Sequence, residues 1–364
     1  MEENKKKLRN YAFVEGYLRE CYLKEGVSPT GKAYISGDVI VSVTRFNAQR
    51  VHVFAFSTKT DGSKNKAYES LKALLGDKVV TIAAYVKNLP QEGIELDLLD
   101  ENIWEAAAKV ATKVWFSGSL EEYATISTGE DGKERETSTF SFRAANGAIR
   151  RDNDKRSFSP RSNVELDGSI LAIRDEVKKG EGENAEPEET GRLVIDYLYI
   201  DYKGIGHKFK LFAGVDRINP VDKNSDTFAD YIRDHYEVGQ TAKFNIAIVN
   251  LAEQKTIAPK ETSWGQTSAP TVVTKFIHEL RIIGGRSMDG ISDDSDGFIT
   301  KEEVTDASTK RRVNAKENWE QSQSRKNKSS APKSEPVKGF GQESATGPQT
   351  VGADNFTVPD FADF

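Results

Sequence analysis

The chain has 364 residues, 37% hydrophobic and 30% charged, with a net charge of −6. That is enough apolar material for two or three cored domains, and no run approaches the roughly 18 apolar residues of a membrane span. A single cysteine, Cys21, excludes a disulfide framework and a cysteine-based zinc site, while the acidic balance argues against coating nucleic acid by bulk charge.

The N-terminus has lysines but no apolar h-region, and one thiol suits a reducing compartment. A cytoplasmic protein without a signal peptide is predicted. Residues 13–18 read as a strand, with Gly16 at a bend. A second alternating run extends from Gly31 to Val43, and residues 50–56 form a third, rich in β-branched and aromatic residues. Tyr68, Leu71 and Leu75 then fall on one helical face that Gly76 ends. Residues 79–89 read as a fourth strand and the segment around Thr112–Val114 as a fifth. Residues 121–151 are left over; they read as an added hairpin turning at 129–132.

Beyond the basic, polar linker 152–162, the order repeats. Residues 164–174 form a first strand with Gly168 at its bend, followed by an acidic insertion at 178–189. Strands follow at 192–200 and 207–213, separated by a tight turn at 203–206. Phe228, Tyr231, Ile232 and His235 share a helical face, capped at Ser225 or Asp226 and ended by Gly239. Strands at 242–251 and 274–283 complete the set. Asn88-Leu89 and Asn250-Leu251 are 162 residues apart, as are Thr112-Lys113 and Thr274-Lys275.

These runs predict a mainly β protein. It has two tandem OB-like five-stranded barrels from an internal duplication, each with one helix between its third and fourth strands. The first spans residues 1–151 with its added hairpin, the second 163–285. Residues 286–364 lose apolar periodicity and are predicted to be a disordered tail. Its segment 309–338 is basic, and no lysine or arginine follows Lys338.

OB barrels take oligonucleotides on their second and third strands and their fourth-to-fifth-strand loop. Aromatic faces stack on bases there, and cations track the phosphates. On those segments Tyr34, Tyr197, Tyr199, Trp104 and Trp264 are candidate stacking residues, with Arg50, His52, Lys208 and Lys210 as cationic partners. Arg143, Arg150 and Arg151 extend a phosphate track. A structural role competes for each: strand tyrosines commonly pack in cores, and Trp104 suits a short helix against one.

The last residues, Asp354-Asn355-Phe356-Thr357-Val358-Pro359-Asp360-Phe361-Ala362-Asp363-Phe364, are acidic and carry three phenylalanines. Barrels followed by a linker and such a tip resemble the single-stranded DNA-binding proteins of bacteria and their phages. That resemblance implies sequence-independent binding of single-stranded DNA. It also implies a tip that docks replication and recombination partners through Asp360, Phe361, Asp363 and Phe364. Opposite charge further predicts that the tip competes with DNA for a basic groove. Two alternatives stand beside this reading: a phage structural or assembly protein whose barrels bind other proteins, and an RNA-binding module.

Residues 292–303 resemble an EF-hand loop, with Asp294, Asp296, Gly297, Ile299 and Glu303 at ligand-pattern positions. Ser292 stands where Asp is usual and no entering helix precedes it, so no metal or other cofactor is predicted. The four histidines (His52, His207, His235, His278) lack metal spacing, and no phosphate-binding or nucleophile motif is present. A non-enzymatic protein is predicted.

Overall fold

A computed structural model describes residues 8–90, 94, 96, 100–129, 131–151, 156–178, 186–222, 224–257, 271–287 and 297–329. The first half contains β1 (Asn10–Cys21), β2 (Lys24–Val27), β3 (Ala33–Ser42), β4 (Ala48–Phe56), α1 (Lys66–Lys72), α2 (Ile82–Lys87), α3 (Glu101–Val110), β5 (Lys113–Thr128) and β6 (Glu134–Ile149). Next come β7 (Arg161–Lys178), β8 (Glu188–Ile200), β9 (Gly206–Ala213), α4 (Phe228–His235), β10 (Thr241–Ile257), β11 (Thr271–Ser287) and α5 (Lys301–Ser329). The protein is mainly β, and its strands form one 11-stranded hydrogen-bonded system.

Within that system the pairings close two rings. In the first, β1 pairs β3, β3 pairs β4, β4 runs parallel to β6, β6 pairs β5, and β5 returns to β1. In the second, β7, β8, β9, β11 and β10 follow the same circuit, with β9 parallel to β11. Period-two alternation drives both circuits. Along β1, Ala12, Val14 and Leu18 point inward and are fully buried, while Phe13 and Tyr17 face out. Gly16 and Gly168 occupy matching places, where a Cβ would collide with the carbonyl oxygens of Ser42 and Leu198 on the neighbouring strands.

The repeat expected from sequence is therefore present in the pairing, but with different counterparts. Gly16 pairs Val114 and Gly168 pairs Ala242, and a register shift follows in each ring, at Ser117/Gly118 and Asn245/Ile246. The segment 113–128 is thus the first ring's fourth strand. The supposed added hairpin is no appendage: with β6 it closes the ring. Residues 79–89 are not a strand. Thr81 accepts a hydrogen bond from the Ala84 amide at 3.0 Å, and Ile82 and Val86 are buried at helical spacing in α2. Three helices, α1 to α3, therefore join β4 to β5, where one was expected; α4 alone joins β9 to β10.

The rings meet where β1 and β7 pair antiparallel. Ala12 lies opposite Val164, and both residues stand four places before their matching glycines. Each strand thus meets its own counterpart, the arrangement of a two-fold dimer joined in one chain. Gln49 donates to the Ile248 carbonyl at 2.9 Å, Asn250 donates to the Gln49 side chain at 2.6 Å, and Phe140 stacks on His278 at 4.0 Å.

Two other expectations change. Of the linker 152–162, Arg161 and Ser162 already belong to β7, and the Ser159 amide faces the Glu15 carboxylate at 3.4 Å. Residues 301–329, expected to be disordered, form α5. Thr300 and Glu303 cap it reciprocally: the Thr300 amide donates to the Glu303 carboxylate, and the Glu303 amide donates to Thr300 Oγ1. Ala307, Arg311 and Ala315, at i, i+4 and i+8, are buried against the strands. The basic character of 309–316 is spent there. Arg311 donates to Glu122 and Glu136, while Arg312 and Lys316 meet Glu134. The part of the acidic insertion at 179–185 lies outside the described residues.

Candidate nucleic-acid interface

Four side chains of β4 share its outward parity: Arg50, His52, Phe54 and Phe56, with Val51, Val53 and Ala55 turned into the core. Tyr34 on β3 lies opposite Phe56, and Ser36 lies opposite Phe54. The three rings gather. Tyr34 and Phe54 are stacked at 5.6 Å and 26°, and Phe56 meets Phe54 edge-on at 4.9 Å. All three are half-buried, so rings remain available on the outer face. Gly26 on β2 passes close over the Tyr34 ring and leaves no room for a side chain. Lys24, exposed, lies in register with Ser36.

Two of the cations that border the rings, Arg50 and His52, share a carboxylate. Arg50 donates to Asp38 at 2.5 Å, and His52 Nδ1 lies 3.2 Å from its other oxygen. Burial opposes ionisation of Asp38, yet hydrogen bonds from His52 and Arg50 outweigh it and hold the carboxyl below its ordinary range. Arg143, opposite His52 across the parallel pairing, donates to Glu121 at 3.2 Å.

The second ring differs at the same strands. Tyr197 is fully buried, and its hydroxyl donates to the carbonyls of Leu166 and Ala242, at 3.2 and 2.5 Å. Burial drives its pKa far up. It is a core residue and not a base platform. Tyr199 is half-buried beside His207, and burial together with nearby Asp201 pushes it up to about 12. Lys208 and Arg174 both reach Asp196, at 3.6 and 2.7 Å, while Lys210 is exposed. Arg192 is held by Glu279 at 2.8 Å and lies over Phe212.

The remaining candidates scatter. Trp104 lies on α3, edge-on to Tyr17 at 5.8 Å, within a satellite core of Ile82, Val86, Ala107 and Ala111. It packs helices, and it sits between the third and fourth strands of its ring, not the fourth and fifth. Arg150 forms a buried ion pair with Glu15 at 2.5 Å, so it does not extend a phosphate track. Arg151 is exposed just beyond β6. Trp264, Asp360, Phe361, Asp363 and Phe364 lie outside the described residues. Among the described residues no group of acidic, histidine or cysteine side chains could hold a metal, and no helix is long and apolar enough to cross a membrane. Glu303 is committed to its capping box.

Phe54 and Phe56 were missed by the sequence reading, although they continue the parity of Arg50 and His52. Phe13 and Trp115, stacked on the outer face of β1 and β5, were missed too.

A family model described as YorF matches residues 100–323, more than half of the chain. No curated protein matches. Among solved structures, the wild-type single-stranded DNA-binding protein from Thermus aquaticus is similar at 11% identity and a TM-score of 0.38, covering 80% of this chain and 98% of that one. A deletion mutant of the Thermus aquaticus protein is similar at 12% identity and a TM-score of 0.37, covering 79% and 99%.

Proposed function

This chain belongs to the YorF family, and we propose that it binds single-stranded DNA with little sequence preference through the outer face of β3 and β4. We read each ring as an OB-like barrel, whose second and third strands are the usual oligonucleotide face. The observation that carries the reading is the cluster of Tyr34, Phe54 and Phe56 on that face, bordered by Lys24, Arg50 and His52. Ring faces accept any base, each stack being worth about 1–3 kcal/mol, which gives affinity without reading sequence. Binding without catalysis suits such a face. The terminal Asp360, Phe361, Asp363 and Phe364 are proposed to recruit replication or recombination proteins.

A second reading, protein binding, is favoured for the second ring alone. There Asp196 engages both Arg174 and Lys208, and Tyr197 is buried, so the face offers fewer open cations and no ring cluster like that of β3 and β4.

The test is fluorescence anisotropy with oligo-dT, oligo-U and duplex of equal length at low and high salt. Tight binding of dT over duplex, weakening steeply with salt and falling by about 1–3 kcal/mol in Phe54→Ala, is the expected result. No binding to dT at low salt would end the reading.

A further inference from the structure

Away from the β3–β4 face, the first ring carries a second group of aromatics. Phe13 and Trp115 stack on the outer face of β1 and β5, with centroids 6.4 Å apart and planes 18° from parallel. The guanidinium groups of Arg156 and Arg161 approach the Phe13 ring to 5.4 and 5.1 Å. Neither arginine is paired with a carboxylate among the described residues. Two cations drawn to one ring repel each other unless an anion joins them.

The ring architecture does not require this arrangement. By the matched register, the places of Phe13 and Trp115 are taken in the second ring by Glu165 and Lys243. There the face closes on itself, Glu165 with Arg9 at 2.8 Å and Lys243 with Asp167 at 3.3 Å. Among the described residues, the matching face of the second ring has no aromatic pair beside guanidinium groups that lack a carboxylate.

We propose that this face is a second contact for the same single strand, with phosphate between Arg156 and Arg161 and a base against the Phe13–Trp115 pair. It rests on the reading of β3–β4 as the primary platform. Helices α2 and α3 pack over Tyr17 on β1, the strand between β3 and β5, and so separate the two places. A short oligonucleotide therefore occupies the platform alone, and a long one reaches both.

The experiment compares wild type, Arg156→Ala/Arg161→Ala and Phe54→Ala in the full chain, with oligo-dT of about 8 and about 30 nucleotides. On the long oligonucleotide, the double variant should bind roughly tenfold more weakly, and its log K against log salt slope should be shallower by about 0.7, one phosphate's worth. On the short one its affinity should stay within about twofold of wild type. Arg156→Lys/Arg161→Lys should keep the wild-type slope, and thermal melting should show all variants folded. A double variant with wild-type affinity and slope on the long oligonucleotide would overturn the second contact. Weakened dT binding in Phe54→Ala would leave the platform standing in that case. Wild type that binds neither length would instead remove the primary reading, and this inference with it.

Discussion

Two aromatic residues, one on the second strand of its ring and one on the third strand of the other, illustrate how position decides chemistry. Tyr197 has its hydroxyl between two carbonyls in the core, whereas Phe54 lies half-buried on an outer face. Tyr197→Phe should cost about 1–2 kcal/mol of stability by urea unfolding, since buried carbonyls lose a donor, and leave DNA affinity unchanged. Phe54→Ala should do the reverse: affinity for dT falls by about 1–3 kcal/mol with little change in the unfolding midpoint. Asp38→Asn tests the neighbouring charges. Freed from its carboxylate, Arg50 turns to phosphate, and affinity should rise by a few tenths to 1 kcal/mol, the range for a partly exposed pair. A loss of affinity in that variant would mean that Asp38 orients Arg50 and does not compete for it. Strand parity made Arg50 and His52 legible, and its continuation would have reached Phe54 and Phe56. Tyr197 obeys the same parity, buried with Leu193 and Ile195, and it is Asp196 and Leu198, on the opposite parity, that depart from it by being buried too. Both faces of β8 are covered there, and α5, about 100 residues later in sequence, approaches Gly206 beside Leu198.

Among the elements, α5 was the least legible. It docks on strands with alanines at four-residue spacing and with an arginine, so it carries no apolar stripe to betray it. Helix α2 misled in the opposite way: an apolar run with alanines satisfies either period, and the Thr81 cap decides. What α5 lacks in apolar area it replaces with charge. Arg311 bonds Glu122 and Glu136 with side chains only 10% and 2% exposed for Arg311 and Glu122. Arg311→Ala would strand a buried carboxylate, at about 3–5 kcal/mol, and should release α5 to limited proteolysis. Acid should act at the same place. The hydrogen bond from Arg311 holds Glu136 below its ordinary range, as bonds from Lys316 and Arg312 do for Glu134. A depressed folded pKa means the stabilisation is complete above the unfolded carboxylate value and lost as pH falls through the folded one. Hydrogen exchange along α5 should therefore accelerate below about pH 4, before β1 and β7 lose protection. Uniform loss of protection across all elements would show that the helix is not a separate acid-sensitive unit.

For the whole molecule, the decisive feature is the junction at which Ala12 meets Val164, its counterpart. A strand that pairs with its own equivalent can pair with a second copy of itself, because the geometry is two-fold. Without β7, residues 10–15 of β1 would present open backbone donors and acceptors, an edge that seeks a partner. A fragment of residues 8–151 keeps the first ring, its platform and its Phe13–Trp115 face. Such a fragment should form a homodimer through β1, detected by sedimentation equilibrium, and should still bind short dT. The duplication would then do two things: it replaces a dimer contact with a covalent one, and it frees one ring to lose the aromatic face. Glu165, Lys243 and Asp167 in place of Phe13, Trp115 and Glu15 are that divergence, visible only once the strands are in register. A fragment that folds yet stays monomeric at high concentration would assign the junction to the Gln49–Asn250 network, the Phe140–His278 stack and α5, with β1 and β7 merely following them.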